Sequence, residues 1–236
     1  MNWTRSFLDN HSVFGRLMTR CGILIAGNLL FLAFSLPVIT IGASWTALCY
    51  TMLKTLRSGE VNPFAAFWKG FRENLVQATA AFLLLSLLTV FLMLELFWCG
   101  QFEGPVALFR YGILALLLAE IVTAAYLFPT MAAFRGTLRE LLRDSVYFAV
   151  GHPLRLVLVL LAHTVPAALT YFDAQRLPLY AFLWCLIGFS GIAMFCGKLM
   201  LTSFAPLLSK AEGEETDGEE EQSQGEILRD MEKLGM

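Results

Sequence analysis

Long apolar runs, interrupted at intervals by proline, glycine or a short charged segment, fill the chain from residue 21 to residue 199. A helix rising 1.5 Å per residue needs about 20 apolar residues to cross about 30 Å of hydrocarbon, with every backbone polar group satisfied inside it. Four runs meet that requirement directly: Leu75 to Trp98, Val106 to Phe128, Leu154 to Tyr171 and Leu179 to Leu199. Pro129, Pro178 and Pro206 fall at or just beyond their ends, where a missing N–H is tolerated. Gly104-Pro105 and Asp173 to Pro178 read as tight connections.

The first 57 residues admit two arrangements. Cys21 to Leu36 crosses only if its helix begins near Arg16, and Pro37 then interrupts it. Ser44 to Leu56 is again mostly apolar and ends in Lys54 and Arg57. Either the two runs form a hairpin of two crossings turning at Pro37 to Gly42, or one crossing is followed by a helix at the surface. Lysine and arginine accumulate in cytoplasmic segments. That rule places 54 to 72, 128 to 154 and the residues after the last span inside. Six spans with both termini cytoplasmic put 12 of the 14 basic residues in 1–208 on that side, and this count favours six. A five-span alternative rests on an internal echo. Leu36-Pro37-Val38-Ile39, Phe128-Pro129-Thr130-Met131 and Ala205-Pro206-Leu207-Leu208 share an apolar-Pro-apolar pattern, which puts Pro37 inside and the N-terminus outside.

Composition agrees with a chain built for lipid. Of 236 residues, 57% are hydrophobic and 15% charged, with a mean hydropathy of +0.65. Globular chains average about 25% charged residues, so a soluble enzyme, a disordered protein and a secreted disulfide scaffold are disfavoured. The expected fold is an all-α polytopic transmembrane bundle in one domain, 1–208, with cytoplasmic interfacial helices. The net charge of −2 conceals a division: residues 1–208 carry 14 Lys and Arg against 9 Asp and Glu, whereas 209–236 carry 3 against 10. That acidic tail is too polar to order itself. Its last stretch, with Ile227, Leu228, Met231 and Leu234 at helical spacing, is a short amphipathic segment. Five cysteines without C-x-x-C spacing read as small buried hydrophobes. No small-x-small site follows the first apolar run, so it is expected to stay as an anchor.

Two segments have the pattern of helices at the membrane surface. Phe64, Phe67, Trp68 and Phe71 recur at i, i+3, i+4 and i+7 after Asn62-Pro63, with Lys69, Arg72 and Glu73 opposite. From Thr137 to Tyr147, Leu138, Leu141, Leu142 and Val146 oppose Arg139, Glu140, Arg143 and Asp144. Both suit elbows feeding the next span, or, more sharply, a surface for a cytoplasmic partner.

Ionisable groups at bilayer depth are costly and often functional. Glu120 and His163 fall near the middle of successive spans and Lys198 nearer the cytoplasmic end of the last. They suit an intramembrane polar contact, or a proton or cation site if they meet. Asn28, Asn74 and Gln77 read as interhelical hydrogen-bonding groups, and Ala115, Ala119 and Thr123, with Ala193 and Gly197, as close-packing positions. No hydrolase, metalloprotease or phosphate-loop motif is present and the histidines are scattered, so no catalytic residue, metal or cofactor is expected. The positive body is explained by membrane orientation, so nucleic acid is not implied.

Asn28-Leu29-Leu30-Phe31-Leu32-Ala33-Phe34-Ser35-Leu36-Pro37-Val38-Ile39-Thr40-Ile41-Gly42-Ala43, followed by Ala47-Leu48, Tyr50, Lys54 and Arg57, resembles the YesL-like family of uncharacterised bacterial membrane proteins. The spacing of Phe64, Phe67, Trp68, Phe71 and Asn74 is similar to that family too. The resemblance covers residues 10 to 80 specifically and the rest loosely. It implies an inner-membrane protein, an accessory to carbohydrate import beside a transporter of the ABC type, and it transfers no catalytic residue. Two functions follow as expectations. One is a non-enzymatic accessory or regulatory component. The alternative is a small secondary transporter or channel subunit working through Glu120 and His163.

Overall fold

The computed structural model describes residues 13–59, 61–101 and 108–204. They form helices α1 (Val13–Phe34), α2 (Ile41–Ser58), α3 (Pro63–Cys99), α4 (Phe109–Ala133), α5 (Leu138–Gly151) and α6 (Pro153–Phe172), then α7 (Leu177–Phe204). No strand occurs among the described residues, so the all-α helical bundle is the fold. The chain divides into Met1–Leu199 and a unit from Met200, of which 200–204 are described, the end of α7. The acidic tail with its amphipathic end, Gly104-Pro105, Pro206, Arg5 and His11 lie outside the described residues.

Five helices are long and apolar enough to cross a membrane: α1, α3, α4, α6 and α7. Their exposed side chains are those of a lipid-facing surface, among them Leu83, Leu87 and Phe91 of α3, Leu114 and Leu118 of α4, Leu161 and Leu169 of α6 and Phe182 of α7. α2 differs in kind. Eleven of its 18 residues are buried, more than in the 37-residue α3, and several of these are hydroxyl residues. Thr46, Thr51 and Thr55 each donate to the carbonyl four residues back, at 2.9, 2.9 and 2.8 Å. Such back-bonding satisfies a hydroxyl without a partner from another element. This helix is enclosed by protein, so it is matched to its neighbours rather than to hydrocarbon.

The break before α2 follows from Pro37. α1 stops at Phe34, a 3₁₀ turn spans Val38–Thr40, and the Thr40 hydroxyl reaches the carbonyls of Phe34 and Pro37, both at 2.7 Å. The position of this turn bears on whether the two runs form a hairpin of two full crossings. A Cβ on Gly42 would come within 2.5 Å of Phe82 Cβ and 2.6 Å of the Ala78 carbonyl oxygen, so glycine permits α2 to start against α3. Along α3 that point is 17 residues, about 26 Å, short of Cys99. It lies within about two turns of Gln77, whose amide donates to the Gly136 carbonyl at 3.0 Å. The Pro37 turn is therefore at the end of the bundle that holds the α4–α5 connection.

Several expected boundaries move. The surface helix from Pro63 and the span from Leu75 are one unbroken helix, about 55 Å long, started by Asn62, whose side-chain oxygen accepts from the backbone of Phe64 and Ala65. Pro129 lies inside α4 rather than at its end, four residues before Ala133. Ala115 and Ala119 face outward and do not mediate close packing, whereas Ala193 is buried and Gly197 abuts Leu53 and Leu56 of α2. All five cysteines are free; Cys49 and Cys196 are buried as small hydrophobes, but Cys185 is exposed.

One polar contact ties α1 to α7. α7 contains a single π-helical turn at Trp184–Gly188, which disturbs the regular backbone ladder. Asn28, fully buried on α1, donates to the carbonyls of Trp184 and Cys185 at 2.9 and 2.7 Å, and its oxygen accepts from Ser190 N–H at 3.0 Å. Asn74, by contrast, bonds within its own helix, to the Gly70 carbonyl. A buried backbone group left unpaired costs about 1–3 kcal/mol, although polar contacts in membrane bundles average nearer 0.6. Asn28→Leu is thus expected to lower stability by about 2 kcal/mol, read as a lower melting temperature in detergent. Leu29→Ala, at a position 53% exposed, should leave melting almost unchanged.

Candidate functional site

The basic, aromatic end of the bundle is built on the first three turns of α3. Four aromatic residues at helical spacing suggest one interfacial face, and the structure splits them. Phe67 and Phe71 are buried, 1% and 8% exposed, and their rings pack on Phe34 at the end of α1 at 5.5 and 5.0 Å between centroids. They are core, not headgroup-facing side chains, because the end of α1 covers them. Phe64 and Trp68 point outward, 60% and 47% exposed. Trp68 nevertheless touches the same cluster, its ring 5.9 Å from Phe34 and 6.2 Å from Phe71.

Charged groups surround this ridge. Glu73 lies 3.9 Å from Lys69 and 3.5 Å from Arg135, so α3 and the α4–α5 connection meet through a carboxylate between two cations. A pocket of about 480 Å³ lies there, lined by Tyr50, Glu73, Asn74, Gln77, Phe134 and Arg135 among others. Arg72, Arg139 and Arg143 are exposed nearby in the chain, with Arg143 3.4 Å from Asp144. On α5, Leu141 and Phe148 are buried and Tyr147 and Val150 are 72% and 73% exposed. Of the expected apolar face, Leu141 is buried and Leu138 and Leu142 half-buried, whereas Val146 is exposed together with Tyr147 and Val150.

The intramembrane residues do not form one site. Glu120 on α4 is buried, its Oε1 2.7 Å from the Thr89 hydroxyl oxygen on α3, while its Oε2 has no hydrogen-bond partner. A cleft of about 500 Å³ between α3 and α4 adjoins it, lined by Phe82, Leu85, Met93, Leu114, Leu118 and Phe128 among others. His163 on α6 faces other helices. Its Nδ1 is 2.8 Å from the Val159 carbonyl oxygen and 4.0 Å from Cys196 Sγ, and its ring meets Trp45 of α2 edge-on at 6.0 Å. Lys198 is exposed. Among the described residues, Glu120 bonds to Thr89 and His163 contacts Val159, Cys196 and Trp45, so the contacts of these two residues go to different helices. Two things could not be read from spacing: the clamp by Asn28 on a π turn, and Thr89 as the partner of Glu120.

Five lipid-ready helices around an enclosed one define an integral membrane helical bundle. Residues 24–96, less than a third of the chain, match the model of a family described as a protein of unknown function, DUF624. No curated protein and no solved structure matches the chain. The matched segment contains the second half of α1, the Pro37 turn, α2 and the aromatic ridge, and it stops before Glu120 and His163.

The start of α5 offers a check outside the spans. Thr137 caps the helix and Glu140 reaches back to accept from the Thr137 N–H at 2.8 Å, a capping box. The Thr137 backbone and hydroxyl contacts hold the Glu140 carboxyl below its ordinary range. A depressed carboxylate contributes stability that is present above its unfolded value and lost as pH falls through its folded value. Protection factors of the amides at residues 138–141, that is, exchange rates relative to the intrinsic rate at each pH, should therefore fall on acidification through the carboxylate range, and Glu140→Gln should flatten that dependence.

Proposed function

We propose that this protein is a non-enzymatic membrane accessory that docks a membrane transport partner through its basic, aromatic end. The observation that carries the reading is the division of the ridge: Phe67 and Phe71 are locked against Phe34, so Phe64 and Trp68 are held outward on a fixed support. Lys69 and Arg72 flank them, and Tyr147 and Val150 of α5 add apolar surface on the side of the Arg135 connection. Aromatic and arginine side chains are the groups that most often anchor protein interfaces. The association with carbohydrate import, and with an ABC-type importer as the partner, rests on the resemblance of residues 10 to 80 alone. The alternative, a small transporter or channel subunit, needs Glu120 and His163 on one path, and each is engaged with different helices.

The membrane topology is part of the same proposal. If the end bearing Arg135, Arg139 and Arg143 is cytoplasmic, the Pro37 turn lies inside with it, and five crossings leave the N-terminus outside and the end of α7 inside. Charge counting favours six crossings; the contact of Gly42 with Phe82 and Ala78 favours five. Reporter fusions after Gly59 and Gly136 should then read cytoplasmic, and those after Gln101 and Asp173 external, with an N-terminal reporter external. A cytoplasmic N-terminal reporter overturns the five-crossing topology.

Docking is tested by placing a photoreactive amino acid at Trp68, at Tyr147 and, as a lipid-facing control, at Leu87, in native membranes. Protein adducts at the first two positions, identified as components of one transport complex, are expected. Lipid adducts alone at all three positions would refute the docking proposal. Glu120→Gln combined with His163→Ala is expected to leave those adducts unchanged.

A further inference from the structure

Groups that accept hydrogen bonds converge on the pocket of about 480 Å³ between α3 and the end of α4. Asn74 donates its side-chain amide to the Gly70 carbonyl and Gln77 donates its own to the Gly136 carbonyl, both at 3.0 Å, which leaves their oxygens as acceptors. Glu73 meets Lys69 and Arg135 through Oε1 at 3.9 and 3.5 Å, so its carboxylate keeps acceptor capacity. α4 contributes its last turn. The helix ends at Ala133, the Phe134 N–H returns to Thr130, and the Thr137 N–H is taken by the Glu140 carboxylate. Met131, Ala132 and Ala133, all at the pocket wall, therefore present the terminal carbonyls of the helix, the negative end of its dipole. Among the described residues Arg135 is the one cation at this wall, and its side chain is 81% exposed, so the positive charge is at the outer edge. Tyr50 adds an aromatic ring, a surface that attracts cations.

The pocket lies where the spanning helix α4 ends and where α3 passes from the aromatic ridge into its apolar run. That is the depth of lipid headgroups. Val76, next to Gln77 in the chain, is 82% exposed, an apolar side chain at the same level against which an acyl chain can lie. A ligand matched to this wall carries a cation rich in N–H donors for the interior and an anion close behind it for Arg135. We propose that the pocket binds the headgroup of an ethanolamine phospholipid, its ammonium donating to Glu73 and to the acceptors of α3 and α4, and its phosphate on Arg135. With five donors, Arg135 can hold a phosphate oxygen without releasing Glu73. Other common headgroups fit less well. Choline has the cation but no N–H, glycerol has no cation, and serine brings a carboxylate to a wall of acceptors. This assignment does not rest on the docking of a partner at Trp68 and Tyr147.

Native mass spectrometry of the full-length protein, purified in detergent and given equal amounts of phospholipids that share the same acyl chains, tests this. Phosphatidylethanolamine should stay bound at several-fold higher occupancy than phosphatidylcholine or phosphatidylglycerol. When the ethanolamine nitrogen is methylated stepwise, occupancy should fall with each N–H removed, a dependence that non-specific lipid contacts do not produce. Glu73→Gln should lower the ethanolamine lipid to the level of the choline lipid. Glu95→Gln, at an exposed acid near the other end of α3, should leave the preference intact. The methylated series needs no variant, so it decides the matter even if Glu73→Gln fails to fold. Glycerophosphoethanolamine, the same headgroup without acyl chains, should not displace the lipid at equal concentration. Equal occupancy across the methylated series overturns the proposal, as does an ethanolamine preference that survives Glu73→Gln. Displacement by the soluble headgroup would assign the pocket to a soluble amine and overturn the lipid as its ligand.

Discussion

Inside hydrocarbon no water is available to take up a stray N–H or carbonyl, so every departure from a regular helix must be repaired by the protein itself. The π turn at Trp184–Gly188 is such a departure, and Asn28 repairs it with three hydrogen bonds from another helix. Much else follows from that clamp. It fixes the rotation of α1, and with it the direction of Phe31, which packs on Phe189 at 4.9 Å and Trp45 at 5.7 Å. Gly188 leaves room for the Trp184 ring, whose indole N–H reaches Thr170 on α6 at 2.9 Å. A single amide thus connects three helices, two of them directly and one through the residue whose carbonyl it binds.

The second constraint is steric. α2 is the most enclosed helix, and small residues allow it to be so. Gly42 lets its start approach α3, and Gly70 on α3 receives Tyr50, whose Cβ would lie 3.0 Å from an added methyl. Gly27 of α1 lies under Met52 and Leu48. With its neighbours that close, α2 can carry threonines that a lipid-facing helix of the same length would expose. Hydropathy and membrane placement separate here, because hydropathy measures compatibility with lipid and α2 has little lipid to meet.

That separation explains what could be read from the chain. The runs at Leu75, Val106, Leu154 and Leu179 were legible because lipid-facing helices need continuous apolar surface, and the structure has a helix over each described part. Asn62-Pro63 as a start and Pro37 as a break were legible because their chemistry is local. The side of the bundle on which the Pro37 turn lies stayed open between two readings, because charge counting and the internal echo disagree and the contact of Gly42 with α3 is long-range. Nor was the fate of Phe67 and Phe71: periodicity groups them with Phe64 and Trp68, and only the arrival of Phe34 divides core from surface. For the polar residues, spacing found Asn28, Glu120 and His163 but paired the last two, whereas Glu120 faces α3 and His163 faces α2 and α7.

The aromatic cluster joins the basic end of the bundle to the break after α1. Trp68 is both half exposed and in ring contact with Phe34, and Phe34 also supplies the carbonyl that the Thr40 hydroxyl caps. Trp68 is therefore in contact with the group that terminates α1 and borders the turn into α2. Six residues back along the same helix, about 9 Å by helical rise, lies Asn28, whose side chain holds the π turn of α7. The run from Trp68 through Phe34 to Asn28 is short and continuous, and it connects the bundle's basic end with the irregular turn of α7 without using the two intramembrane ionisable groups.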